Sequence, residues 1–278
     1  MLRNRHILCY TTLPLMLMGA LCCRVALAQT SDYVNPSGMT IETRFKLPEG
    51  FVRLPAANTS YTSFLRNLRL RPDGTAYEHT PPEDKYAGIF HMVMPNDIRQ
   101  DIHLGVRLWA EYLFSLKQYN KIIFSIKTSA EPPFSYAQWV RGLQLTIGDK
   151  LFSTKQTTDV DRLSTLHRYL GFIFDHYDVT AMMADVQRVS VNDIMPGDMF
   201  IQPVRSGYAV VVVDVAYNPV TGERIFLLAK NYKSAKSAFI LVQWGGSPWY
   251  SIKPDEDKLI TPEFIFQKTN LRRFRDRQ

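Results

Sequence analysis

The run Tyr208-Ala209-Val210-Val211-Val212-Val213-Asp214-Val215-Ala216 sets a carboxylate inside an almost unbroken apolar stretch. Burying an ionised group is costly unless it is paired. Lys230, on the segment that returns after Asn218-Pro219-Val220-Thr221-Gly222, is the basic residue placed to meet Asp214. Such a pair is either structural or part of a pocket lining, and the base rate for buried pairs favours the structural role. Just upstream, Pro196-Gly197-Asp198-Met199-Phe200 and then Ser206-Gly207-Tyr208 place a phenol at the head of the apolar run. A phenol, with a reference pKa near ~10, is a poor general base at neutral pH. His103, Arg107 and Glu111 recur every four residues, the spacing of solvated ion pairs along a helix.

Other chemistries are set aside by what the chain lacks. His79, His91, His167 and His176 show no ligand spacing such as His-Glu-x-x-His, so no metal is expected. There is no Gly-x-Ser-x-Gly elbow, Walker loop or dinucleotide fingerprint, so no cofactor is expected, and Ser206 has no placed base. Trp244, Trp249 and Tyr250 beside Gly245-Gly246 read as packing residues or as an exposed aromatic loop.

The elements that must position these residues follow from periodicity. Ala87 to Met94 reads as a strand, and Pro95-Asn96 opens a helix that Asn96 can cap. Ile98, Ile102, Trp109, Tyr112, Leu113 and Leu116 give that helix its apolar face. Lys121 to Lys127 is a strand, Lys150 to Asp161 a polar loop, and Arg162 to Phe174 a second helix. After Asp193 the period becomes that of a sheet, with strands at Asp198 to Gln202, Tyr208 to Ala216, Arg224 to Ala229 and Phe239 to Gln243. Helices first and an antiparallel meander afterwards predict an α+β fold, its helices packed on one face of a mainly antiparallel sheet.

The first 28 residues form a secretory signal by pattern: basic Arg3, Arg5 and His6, an apolar run from Ile7 to Cys23, and Ala26-Leu27-Ala28 before Gln29. The alternative is an uncleaved membrane anchor, since the run nears the ~18–20 residues that span a bilayer. Residues 29–48 read as a poorly ordered leader, and 49–278 as one α+β domain with a basic C-terminal tail at Lys268, Arg272, Arg273, Arg275 and Arg277. All three cysteines, Cys9, Cys22 and Cys23, lie within the signal, so the mature chain has neither thiolate nor disulfide. Arg3, Arg5 and Arg24 leave with it, taking the net charge from +7 to +4. For an exported chain of that charge, nucleic acid is excluded as a partner and anionic envelope polymers fit better. The mature form is not expected to span a membrane.

Pro196-Gly197-Asp198 leading to Gly207-Tyr208 resembles papain-like cell-wall amidases of the NlpC/P60 and CHAP groups, in which a Gly-His pair heads the strand and its His serves a Cys at a helix N-terminus. A closer resemblance covers most of the mature chain. Ser63-Phe64-Leu65-Arg66, Leu70-Arg71-Pro72-Asp73-Gly74, Arg107-Leu108-Trp109-Ala110-Glu111-Tyr112-Leu113, His167-Arg168-Tyr169-Leu170, Gly197-Asp198-Met199-Phe200-Ile201, Leu227-Leu228-Ala229, Ser247-Pro248-Trp249-Tyr250 and Thr261-Pro262-Glu263-Phe264 occur in that order. Together they are similar to an exported bacterial family known only as a domain of unknown function. That likeness implies a Bacteroidetes-type source.

The family's Gln-Cys-Ala-Asp run and Gly-His pair carry across so that the Cys position falls on Asp101, the Asp position on His103 and the His position on Tyr208. The family's Ala-Gln pair becomes Ala229-Lys230. With Cys and His as a papain-like dyad, both partners are replaced here, and the resemblance implies the amidase-like scaffold and exported location without that activity. Asp101 and His103, two apart on a helix, point about 200° apart and make no pair by themselves. The expectation is an exported envelope protein, a non-catalytic module whose remnant pocket (Asp101, His103, Tyr208, Asp214, Lys230) binds cell-wall peptide or glycan. The alternatives are a hydrolase using carboxylate or Tyr chemistry, which requires Asp101, His103 or Tyr208 to converge, and an interaction protein whose basic tail docks on anionic polymer.

Overall fold

A computed structural model describes residues 32–72, 86–92, 100–126, 133–142, 144–147, 150–203, 207–232, 237–244 and 246–275. Its main element is a nine-stranded antiparallel sheet: β1 (Val52–Arg53), β2 (Tyr86–Ile89), β3 (Val186–Arg188), β4 (Met199–Ile201), β5 (Ala209–Tyr217), β6 (Arg224–Tyr232), β7 (Ser237–Leu241), β8 (Trp249–Tyr250) and β9 (Leu271–Phe274). The order across it is β2-β7-β6-β5-β4-β9-β3, with β1 paired to β5 and β8 to β6. β5 is central because its β-branched run is apolar on both sides, and from Ala209 to Ala216 every residue is buried.

The two faces of β5 feed two cores. Val211 and Val213 belong to the larger core under the helices, whereas Val210 and Val212 face a smaller one. The smaller core is closed by a two-stranded ribbon, Lys258–Ile260 against Ile265–Gln267, through Leu259 and Phe266. Six helices are described: α1 (Ile41–Arg44), α2 (Tyr61–Arg66), α3 (Ile102–Ser115), α4 (Tyr136–Arg141), α5 (Leu163–His176) and α6 (Val179–Asp185). The fold is α+β, as expected, with the helices on the larger-core face. Gly105 is what lets α3 lie close on the sheet, since a Cβ there would fall 2.1 Å from the Met199 sulfur on β4.

Several expectations change. Residues 33–48, read as a poorly ordered leader, are built into the fold: Thr40 and Thr43 form a capping box on α1, and Ile41 and Phe45 are fully buried in the larger core. Within the basic tail, Arg272 and Arg273 lie in a strand, for β9 pairs with both β4 and β3. Arg273 there is bound to Asp198 at 2.6 Å, and Phe274 stacks on Trp109 of α3. The polar stretch after Lys150 begins with a strand, Lys150–Ser153, paired to Gln144–Ile147. Of the strand expected over Lys121–Lys127, the described residues form Ile123–Phe124, paired to Phe134–Ser135. Among the described residues no helix is long and apolar enough to cross a membrane. The signal segment, the Asn96 cap and His79 lie outside the described residues.

In the His103, Arg107 and Glu111 face, His103 and Arg107 are buried and Glu111 is partly buried, so the face is not solvated. Arg107 Nε donates to Glu111 at 2.7 Å, and His167 of α5 donates to the same carboxylate at 2.8 Å. Burial pushes the Glu111 carboxyl up, but the His167 hydrogen bond and the Arg107 guanidinium outweigh it and hold it below the ordinary carboxylate value. A carboxyl whose folded pKa is depressed contributes stability above its unfolded pKa and loses it as pH falls through the folded one. The stability difference between wild type and Glu111→Gln is therefore largest near neutrality and shrinks below about pH 4. Urea denaturation at stepped pH measures this; a difference that grows in acid contradicts it.

Candidate functional site

The N-terminal end of α3 meets the end of the sheet formed by the start of β5 and the close of β6. Gln100 and Asp101 lead into α3, and Lys230 and Asn231 sit side by side on β6. The two pairs meet twice: Asp101 Oδ2 lies 3.7 Å from Lys230 Nζ, and Asn231 Nδ2 donates to the Gln100 carbonyl at 3.5 Å. Gly207, just ahead of Tyr208, lies against the Gln100 side chain.

Alternation along β6 turns Lys230 toward the ribbon side, and the ribbon supplies its other neighbours. The ribbon's connection is a tight turn in which Thr261 Oγ1 donates to the Phe264 carbonyl at 2.8 Å and accepts from the Phe264 amide at 3.0 Å. That turn holds Glu263 and Phe264 at the site. Lys230 Nζ donates to Glu263 Oε2 and stands 4.9 Å from the centroid of the Phe264 ring. Tyr208 stacks on the other partner of this arrangement, its ring 4.0 Å from that of Phe264. One ammonium is thus shared by two carboxylates and an aromatic face, and Lys230 as a whole is 8% exposed.

Three of the expected site residues, Asp101, Tyr208 and Lys230, therefore come together. Two do not. His103 is fully buried in the helical layer, stacked on Phe174 at 4.4 Å with its Nε2 3.2 Å from the Tyr177 carbonyl. The opposed directions of positions 101 and 103 on a helix account for this.

Asp214 is fully buried and bound by Arg53 at 2.7 Å and Arg66 at 2.6 Å, not by Lys230. Simple alternation would put Asp214 with Val212 on the Lys230 face. Between Leu227, opposite Asp214, and Leu228, opposite Val212, the register slips, so Val213 is an extra residue. The bulge turns Asp214 onto the helical face, where α2 brings Arg66. The proposed Asp214–Lys230 pair is thereby corrected. The two residues point to opposite sides of the sheet.

Glu263, Phe264, Gln100 and Asn231 complete the site and were not singled out as chemistry-bearing in the sequence. The Thr261-Pro262-Glu263-Phe264 landmark was visible, but nothing local in it announces a partner 33 residues away. The aromatic loop is split: Trp249 and Tyr250 are buried in β8, while Trp244 is exposed. No group of three or more metal-ligating residues occurs among the described residues.

The arrangement brings together Asp101, Lys230, Glu263 and the stacked Tyr208 and Phe264 rings, whereas the one imidazole expected there, His103, faces the core. What it offers is hydrogen-bonding and charge recognition beside an aromatic surface. The model of a family described as Domain of unknown function (4846) matches residues 41–273, a span that contains every residue of the site. Neither the curated proteins nor the solved structures offer a match to the chain.

Proposed function

We propose that the chain, which belongs to this family of unknown function, is a non-catalytic binding module of the bacterial envelope, exported by its first 28 residues and built on an amidase-like scaffold of the NlpC/P60 or CHAP kind. Its ligand is cell-wall peptide or glycan, and a Bacteroidetes-type source goes with the same reading. The observation that carries it is the convergence of Asp101, Tyr208 and Lys230 at one helix–sheet junction, where the Cys and His positions of the resembling dyad fall. At that place an ion pair and a stacked phenol stand where acyl transfer needs a thiolate and an imidazole.

Co-sedimentation of the purified chain with insoluble peptidoglycan, alongside release of soluble muropeptides, tests this. The chain is expected to sediment with the polymer and release nothing, and Asp101→Asn or Tyr208→Phe to weaken binding. Turnover that either substitution abolishes refutes the reading and favours the carboxylate or Tyr hydrolase, whose residues Asp101 and Tyr208 do share this site.

A further inference from the structure

Two side-chain oxygens at this junction have no hydrogen-bond partner among the described residues: Gln100 Oε1 and Asn231 Oδ1. Asn231 is 3% exposed, and its amide orientation is set by the hydrogen bond from Nδ2 to the Gln100 carbonyl, so the atom left over is an acceptor. Buried acceptors of this kind are rare in folded proteins because each forfeits its bond to water. Here they lie next in chain to Asp101 and Lys230, whose charges are already engaged with each other. Gln100 itself and the neighbouring Tyr208 are only half-buried as residues.

The built-in Lys230 shows what this neighbourhood accommodates: an ammonium held by carboxylate oxygens over an aromatic ring. The remaining unmet groups are acceptors too. We propose that Gln100 Oε1 and Asn231 Oδ1 receive the N–H groups of a ligand's primary amine, so that the module reads a free amino group on its peptide. This rests on the binding-module reading and adds the chemical class of the ligand's recognised end. Charge assistance makes an ammonium a stronger donor to such oxygens than a neutral amide.

Calorimetric titration of the full chain with soluble cell-wall peptide fragments, native and after acetylation of their amines, decides it. Acetylation is expected to weaken binding about tenfold. Asn231→Leu should weaken binding of the native fragments by a similar factor without lowering the melting temperature, because leucine removes the unmet Asn231 acceptor while the Gln100 carbonyl keeps the His103 amide as a donor at 3.1 Å. Gln100→Met, at a half-buried position ahead of the helix, serves as a second variant should Asn231→Leu fold poorly. Equal binding of native and acetylated fragments overturns amine recognition and leaves the binding module standing. Binding by neither overturns both. Wild-type affinity in Asn231→Leu or Gln100→Met removes these oxygens from the contact.

Discussion

Replacing Asp214 by alanine lowers the free energy of unfolding by about 3–5 kcal/mol, the cost of breaking a buried ion pair from one side. The carboxylate is wholly enclosed, and each of its oxygens receives a guanidinium Nε, with the Val215 amide adding a third bond at 2.9 Å. Without it, Arg66, whose side chain is 7% exposed, keeps a charge with its carboxylate gone; Arg53, at 19%, retains better access to water.

The damage spreads because both arginines also hold the N-terminal segment. Arg53 donates to the Phe45 and Glu42 carbonyls, and Arg66 to those of Leu54 and Val215. Loss of Asp214 should therefore loosen residues 40–66 together, and hydrogen exchange should show faster exchange there than in β6. Replacing the whole trio with apolar residues of similar size is expected to restore much of the stability, since desolvation of the charges then disappears. Denaturant unfolding of the single and triple variants measures both. A loss below about 1 kcal/mol in Asp214→Ala would sink the argument.

The second large effect is expected at Gly197, in the Pro196-Gly197-Asp198 turn that leads into β4. Its φ of +99° lies where a side chain is strained, and a Cβ would stand 2.4 and 2.6 Å from ring carbons of Tyr61. Tyr61 has little room to yield. Its ring is 5.0 Å from Trp109 and 4.9 Å from Tyr112, and burial pushes its hydroxyl well above the usual phenol range.

Backbone strain of ~1–3 kcal/mol and overpacking of ~1–3 kcal/mol together put Gly197→Ala at a loss of about 3–4 kcal/mol. The two contributions separate in a double-mutant cycle. In a Tyr61→Ala background the clash is gone and only the strain remains, so the two substitutions should cost less together than the sum of each alone. Simple additivity would mean that the ring and Gly197 do not oppose each other.

Much of the architecture was legible because local pattern and tertiary role agree. The β-branched run of β5 is central, Leu163–His176 is a helix close to the expected Arg162–Phe174, and the α+β class holds. The convergence of Asp101 with Tyr208 could be anticipated only through the resemblance, which aligned two segments about a hundred residues apart. Where polar residues dominated locally, the reading failed: Arg272 and Arg273, in a strand paired on both sides, look like a basic tail until Asp198 is seen facing Arg273. The same holds for Arg44, which looks like leader but is 1% exposed and donates to the Gly38 carbonyl at 2.7 Å.

Residue types and their period were enough to say that the protein mixes helices with an antiparallel sheet, that thiol chemistry is absent after residue 28, and that Asp214 needs a cationic partner. Which cation meets it was settled in three dimensions, because a single extra residue at Val213 reverses the side on which every later side chain of β5 emerges. The same is true of Lys230. Its partners come from α3 and from the ribbon turn at Glu263, elements that no local spacing connects and that only packing the two cores against one sheet brings within reach.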